Sequence, residues 1–273
     1  MPDLSAIVGD VAIIGVGNMG GAILSGLTVA GLSPKRIRVA DPSRAAQAAQ
    51  KYGVVPMATA AQAALGASTI IVAVKPNKVQ EVITQMALQM TPATLLISVA
   101  AGVPIDDLET WASTAANKAP SVIRAIPNIP ARLRQGVTAI ALGSGVTEAQ
   151  MVTAQAVFGA IGAVIGVDET QVEAVSAVSG CGPAYLFLVA EAMTEAGVRL
   201  GLSRETATHL VTQTFVGSSA LLATGEPPTE LRAQVTSPGG TTAEAIFVLE
   251  QCGVRAAFGA AMKATVDRSR ELG

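Results

Sequence analysis

The segment Ser237-Pro-Gly-Gly-Thr-Thr242 combines the residue types that a small-anion site needs. Gly239 and Gly240 allow a ligand to touch the backbone, and Thr241 and Thr242 supply neutral hydroxyl donors where a charged acid or base could have stood. The segment runs directly into an apolar-periodic stretch, Ala243 to Glu250, that reads as a helix. A helix entry presents free backbone N–H groups and the positive end of the dipole, so it favours an anion. Ser237 opens the turn and joins Gly239, Gly240, Thr241 and Thr242 as a substrate-binding candidate, and the pocket implied is one for a small carboxylate. The plainer reading is a helix start capped by Thr241 or Thr242.

A second motif lies near the other end of the chain. The apolar run Val11-Ala-Ile-Ile leads into Gly15, Gly17 and Gly20, and a helix with Ile23 and Leu27 on one face follows. This is dinucleotide-binding spacing: the first glycine permits a tight turn, the second lets the backbone approach a pyrophosphate, and the third lets the helix pack on its strand. A second strand, Ile37 to Ala40, ends in Asp41, placed for a ribose hydroxyl, while Ser43 and Arg44 are placed for a 2′-phosphate. Those two signals oppose each other, so the reading is use of both nicotinamide cofactors.

The elements that must hold these motifs follow from apolar patterning. Short apolar runs at 11–15, 37–40, 69–74, 94–99 and 121–126 alternate with Ala-rich or amphipathic stretches, the pattern of a parallel sheet covered by helices on both faces. Runs at 137–142 and 161–167 could extend it. After Asp168 the periodicity becomes helical over 169–200, 203–224, 228–236, 240–251 and 254–271, with Ser203 placed as an N-cap. The fold class expected is α/β, a doubly wound, mostly parallel sheet domain over 1–167 followed by an all-helical domain over 168–273. Ligands of open α/β sheets bind at the carboxyl ends of the strands, so the loops after Val74, Val99 and Ile126 should face the cofactor.

Composition removes several classes of function. The 18 Lys and Arg balance 20 Asp and Glu, and no basic stripe with interleaved aromatics occurs, which argues against nucleic acid. Cys181 and Cys252 give no metal-ligand spacing and no disulfide framework, consistent with no metal and with a reducing, cytoplasmic setting. The charge-free stretches 11–34, 52–74 and 149–167 are long enough to span a bilayer, but Gly, Pro and polar residues break each into strand plus helix, so no membrane is expected. The first residues carry Asp3 and Asp10 and no basic segment, unlike a signal peptide. A chain this apolar must hide surface between subunits.

On these residues the chain resembles the pyrroline-5-carboxylate reductases. The resemblance runs through Gly15-Val-Gly-Asn-Met-Gly20, Ala73-Val-Lys-Pro76, Ser98-Val-Ala-Ala-Gly102, Arg124-Ala-Ile-Pro-Asn128, Val178-Ser-Gly-Cys-Gly-Pro-Ala-Tyr185 and Ser237-Pro-Gly-Gly-Thr-Thr242. It implies a Rossmann domain, a helical domain that forms a homodimer and in turn a larger ring of dimers, and reduction of 1-pyrroline-5-carboxylate to L-proline with NADPH or NADH. Carried over by position, cofactor contacts fall on Ile14, Gly15, Val16, Gly17, Asn18 and Met19, on Asp41, on Ala73, Val74, Lys75 and Pro76, and on Val99, Ala100 and Ala101, while Gly20, Ser43 and Arg44 are cofactor candidates from the spacing above. Thr242 corresponds to the catalytic hydroxyl at the imine nitrogen, and Gly239 and Gly240 to the backbone that holds the carboxylate. The chain departs from the family's habits at Ile126, Pro227 and Ala233.

The chemistry is compatible with so few acid–base groups. A protonated imine is already electrophilic, and holding donor and acceptor together can lower a barrier by roughly 7–11 kcal/mol in favourable cases. His209, the single histidine, reads as structural, and Cys181 lacks the His or Asp partner of a nucleophile. Two rivals are the β-hydroxyacid dehydrogenases, whose catalytic Lys on the first interdomain helix has no counterpart in 169–198, and a nucleotide-binding regulatory or structural protein that has kept the fold and lost the chemistry.

Overall fold

The computed structural model describes residues 3–114 and 119–272. Eight strands form one sheet: β1 Val11–Ile14, β2 Ile37–Ala40, β3 Val55–Met57, β4 Thr69–Val72, β5 Leu95–Ser98, β6 Ser121–Pro127, β7 Gly136–Leu142 and β8 Gly162–Gly166. Their order is β3-β2-β1-β4-β5-β6-β7-β8, and every pair is parallel except β6 with β7. The exception has a simple cause. Residues 128–135 join β6 to β7, fewer than the roughly dozen that a parallel crossover requires.

The helices are α1 Asn18–Ala30, α2 Ala45–Tyr52, α3 Ala60–Ala64, α4 Val79–Met86, α5 Ile105–Ala112, α6 Glu148–Gly159, α7 Val172–Val175, α8 Gly182–Arg199, α9 Arg204–Leu222, α10 Pro228–Gln234, α11 Thr241–Gln251 and α12 Val254–Leu272. Alternate residues of the central strands point to opposite faces, which splits the sheet's core in two. Val11, Ile13, Val39 and Ile97 pack with Ile23 and Leu27 of α1, Ala48 of α2 and Phe158 of α6. Ile14, Ile70, Val72 and Leu96 pack with Ala63 of α3, Ile83 and Met86 of α4 and Leu108 of α5 on the other face.

All seven expected strand runs are present, so the doubly wound, mostly parallel sheet is as the patterning predicts. Strand β3 had not been anticipated: it is three residues long, includes Pro56 and lies at the edge, where a proline can sit without costing a ladder bond. The single helix expected over 169–200 is interrupted. A 3-10 turn at Glu169–Gln171, the short α7 and a π-helical turn at Ser176–Gly180 precede α8. Gly180 and Gly182 weaken the helix there, and bonds from β6 described below hold it in the altered form.

The chain packs as two compact units. One runs to Cys181 and takes in the end of α12 from Thr265; the other is Gly182–Ala264. Within the second unit α8 and α9 form a hairpin whose turn has Gly201 at φ 99°, and Ser203 caps α9 by accepting the Thr206 N–H at 3.1 Å, as its position predicts. Only Pro183, Ala207 and Val211 of this unit are buried. Phe187, Leu188, Leu200, Leu210, Phe247, Val248 and Leu249 are exposed. Such a small interior cannot offset the conformational entropy of ordering its helices, about 1–2 kcal/mol per residue for the backbone alone.

Candidate active site

Because β2, β1, β4, β5 and β6 run parallel, their carboxyl ends share one edge of the sheet. The turn after β1 reaches it with Gly15 at φ 91°, and a Cβ there would stand 2.7 Å from the Ala73 carbonyl oxygen. At Gly20 a Cβ would collide with the Gly15 carbonyl, so that glycine lets α1 pack onto the turn. Gly17 differs. A Cβ there would meet only the Arg44 guanidinium, at 3.6 Å, so the space above it is open to a ligand. Gly17 is also the N-cap of α1 and no side chain caps the helix, which leaves its first N–H groups directed at that space.

Asp41, at the end of β2, is used by the protein itself. Its Oδ2 accepts the Val16 N–H at 2.8 Å, and its Oδ1 accepts the backbone N–H groups of Ser43 at 3.0 Å and Arg44 at 2.9 Å. Burial, the largest single influence, pushes the Asp41 carboxyl up, but the bonds from Val16, Ser43 and Arg44 together hold it below the ordinary carboxylate value. It therefore stays ionised at neutral pH and ties the glycine turn to β2. Beside it opens a cleft of about 460 Å³, walled by Ala58 and Thr59 from the end of β3 and by Lys78, Val82 and Gln85 from the α4 side. Those wall residues were not singled out in the sequence, because β3 was not recognised and the wall exists only once it pairs with β2.

Ala73, Val74, Lys75 and Pro76 follow β4, and Val99, Ala100 and Ala101 follow β5, on the same edge. The Val99 N–H donates to the Val72 carbonyl at 3.0 Å and the Ala100 N–H to Ser98 Oγ at 3.3 Å, which fixes the second of these loops. Next along, β6 carries Arg124, which is only 3% exposed. Its guanidinium pairs with Glu173 at 2.9 Å and Glu169 at 3.5 Å, and its Nε has no partner. Asn128 continues the link: its side chain donates to the Ser179 carbonyl at 3.1 Å and accepts the Val137 N–H at 3.0 Å. These bonds fasten the π-helical turn to the sheet.

In the second unit, Ser237-Pro-Gly-Gly forms a turn closed by the Gly240 N–H donating to the Ser237 carbonyl at 3.0 Å, with Gly239 at φ 65°. Proline second and a positive-φ glycine third is type II turn chemistry. Gly240 is the N-cap of α11, and no side chain caps it. Neither Thr241 nor Thr242 is the cap; they are the first two helical residues. Their hydroxyls and the helix's leading N–H groups remain for a ligand. Cys181 is partly exposed and unpaired, and His209 lies on the exposed face of α9.

Two family models match the chain: pyrroline-5-carboxylate reductase dimerisation over residues 169–272, and NADP oxidoreductase coenzyme F420-dependent over 10–102. A pyrroline-5-carboxylate reductase of Mycobacterium tuberculosis is 43% identical over 291 aligned positions that cover 96% of each chain. The chain belongs to the pyrroline-5-carboxylate reductase family. Among solved structures, the pyrroline-5-carboxylate reductase of Coxiella burnetii superposes with a TM-score of 0.89 at 38% identity, covering 97% of this chain and 98% of its own. That of Plasmodium falciparum, solved with NADP bound, gives 0.87 at 26% identity over 98% and 99%.

Within this pyrroline-5-carboxylate reductase fold, the NADP oxidoreductase match spans β1 to the loop after β5, the stretch that holds every cofactor candidate named above. The dimerisation match spans α8, α9 and α11, where Phe187, Leu188, Leu210, Phe247, Val248 and Leu249 are exposed. The Asp41 bond to Val16 and the Arg124 bond to Glu173 are tertiary contacts across 25 and 49 residues, which no local motif announces.

Proposed function

We propose that the chain reduces 1-pyrroline-5-carboxylate to L-proline, the last step of proline biosynthesis, with NADPH as hydride donor and NADH as an alternative. The observation that carries this reading is the uncapped start of α11 behind Ser237-Pro-Gly-Gly, an anion site with two hydroxyls beside it. The bound nicotinamide supplies a hydride to the imine carbon. All other work falls to this chain's residues. The N–H groups at Gly17, Asn18 and Met19 face the pyrophosphate, Asp41 holds the turn from Ile14 to Gly20 in shape, and Ser43 and Arg44 meet the adenosine side. The loops Ala73–Pro76 and Val99–Ala101 line the strand ends toward the nicotinamide.

Ser237, Gly239, Gly240 and Thr241 hold the substrate carboxylate through backbone and hydroxyl groups. Thr242 bonds the imine nitrogen and steadies it as its charge changes. No general base is required, since the imine carries its proton into the reaction. The functional domains divide as 1–167, binding dinucleotide, and 168–273, binding substrate and a second copy.

The helix run Glu169–Arg199 is long and apolar enough to cross a membrane by length and composition. We assign its exposed face instead to a homodimer, and to dimers assembled into a ring, because the whole helical unit shares the exposure. A cytoplasmic enzyme acting on a small molecule, without metal, membrane or nucleic acid, fits these features. The test is NADPH consumption by the purified chain with and without the imine. Consumption that depends on the imine and yields proline is expected; dinucleotide binding with no turnover would favour a regulatory protein.

A further inference from the structure

The groove between α1 and α2 shares Val16, Asn18 and Arg44 with the cofactor reading above, but its other cations, Lys51 and Arg132, have no part in that reading. It lies across the glycine turn from the Asp41 cleft, since it is walled by Val16 and Ala48, which pack on one face of the sheet, whereas Ile14, Ala40 and Ala60 of the cleft pack on the other. Its volume, about 500 Å³, is that of a small-molecule site. Every charged residue in its wall is a cation: Arg44, Lys51 and Arg132. That is unexpected in a chain with more acidic than basic residues.

Several arginines elsewhere in the chain have carboxylate partners. Arg38 pairs with Asp10, Arg124 with Glu169 and Glu173, Arg204 with Glu195, and Arg255 with Glu250. Among the described residues, none of the three groove cations has a carboxylate partner, and α2 contains no acidic residue to provide one. Arg44 and Lys51 are seven positions apart, so they mark one helix face about 10 Å along its axis. Arg132 comes from the turn after β6 and closes the groove from the α1 side, near Asn18 at the uncapped helix start. The Lys51 ammonium stands 4.9 Å from the centroid of the Tyr52 ring, which holds it over the groove's lower end. Unpaired cations gathered in one concavity repel one another, and an anion relieves that cost.

We propose that this groove is a phosphate-binding site, in which Arg132 and Lys51 act together with Arg44 on a phosphate dianion. A phosphate suits it better than a carboxylate, because two arginine forks and an ammonium offer more donors and charge than a single carboxylate can use. The phosphate can come from the cofactor, as an adenosine 2′-phosphate reaching over Arg44, or from a separate phosphorylated molecule. Only the first source rests on the dinucleotide reading.

The test uses the full-length oligomer, with inorganic phosphate titrated by calorimetry at constant ionic strength and NADPH and NADH affinities read from nucleotide fluorescence. The parent, Arg132→Gln, Lys51→Gln and, as a control outside the groove, Lys35→Gln are compared. The proposal predicts that inorganic phosphate binds the parent and that the two groove variants weaken it about five- to tenfold each, the size of one charge-assisted contact. Phosphate competing with NADPH but not NADH, with the same variants weakening NADPH alone, identifies the cofactor as the source. Phosphate binding alongside saturating amounts of either dinucleotide identifies a separate anion. Phosphate affinity and the NADPH-to-NADH ratio both unmoved by Arg132→Gln and Lys51→Gln, or lowered as much by Lys35→Gln, would overturn the proposal. Failure of both dinucleotides to bind would instead strike the cofactor reading, and the phosphate titration would still decide this one.

Discussion

The two glycine turns of this chain use the same residue under opposite conditions. In the turn after β1, Gly15 and Gly20 are required by atoms already present, the Ala73 and Gly15 carbonyls, and the turn is bolted to β2 through Asp41. In the turn before α11, Gly239 has open space around it and Gly240 meets only Ser237 of its own turn. The first stands on a sheet whose central strands are wholly buried, the second on helices that bury almost nothing within one chain. The turn after β1 is thus held by atoms of its own unit, whereas the turn before α11 stands on helices with little cover of their own.

The strongest way to break this contrast is to loosen the sheet side. Arg124→Met removes the cation between Glu169 and Glu173 and leaves two carboxylates facing an apolar chain. Breaking a buried pair on one side typically costs about 3–5 kcal/mol. Thermal unfolding should fall by many degrees, and Glu173→Gln, which keeps the shape and a hydrogen-bonding group, should fall less. If Arg124→Met melts with the parent, the sheet is not what holds the π-helical turn.

Next in size is Gly17→Asp. The added side chain meets only Arg44 in the empty protein, so folding should survive. It occupies the pyrophosphate's space with like charge, and dinucleotide affinity should drop by more than about 100-fold, roughly 2.7 kcal/mol or more. Unchanged NADPH binding measured by fluorescence would remove the cradle from this turn.

On the substrate side the expected loss is smaller and chemical rather than structural. Thr242→Val keeps the β-branched shape and deletes the hydroxyl. A hydrogen bond to a charged centre is worth about 1.5–3 kcal/mol, so turnover at saturating imine should fall about ten- to a hundredfold with cofactor affinity intact. Thr241→Val is the comparison and should lose less. Equal losses, or none at Thr242, would assign the imine nitrogen to backbone or water.

How far these regions were legible in the sequence follows from the same contrast. The buried strands announce themselves as unbroken apolar runs, and the glycine spacing is local, so the sheet and its first turn could be read directly. Strand β3 could not, because Val55-Pro56-Met57 has neither length nor alternation. Nor could the break in the helix over 169–200, which depends on Arg124 and Asn128 reaching Glu173 and Ser179 from β6. The helix start at α11 was legible from Ser237-Pro-Gly-Gly, but not that Gly240 rather than a threonine is its cap, since that depends on the turn's backbone geometry.

The smallest effect expected is at Arg44, and it tests how the first turn discriminates between cofactors. Its guanidinium lies beside Gly17, and its backbone N–H is held by Asp41, so the side chain is anchored at its base and free at its tip. If the tip meets a 2′-phosphate, Arg44→Ala should raise the dissociation constant for NADPH about fivefold, roughly 1 kcal/mol, and leave NADH nearly unchanged. The modest size follows from exposure, since a solvated arginine pays back little of its charge interaction. Added salt should shrink the difference further, because screening acts on an exposed pair. An equal loss for both cofactors would mean that Arg44 touches the pyrophosphate they share. The preference between them would then have to come from Asp41, whose carboxylate is already committed to Val16, Ser43 and its own chain at Arg44.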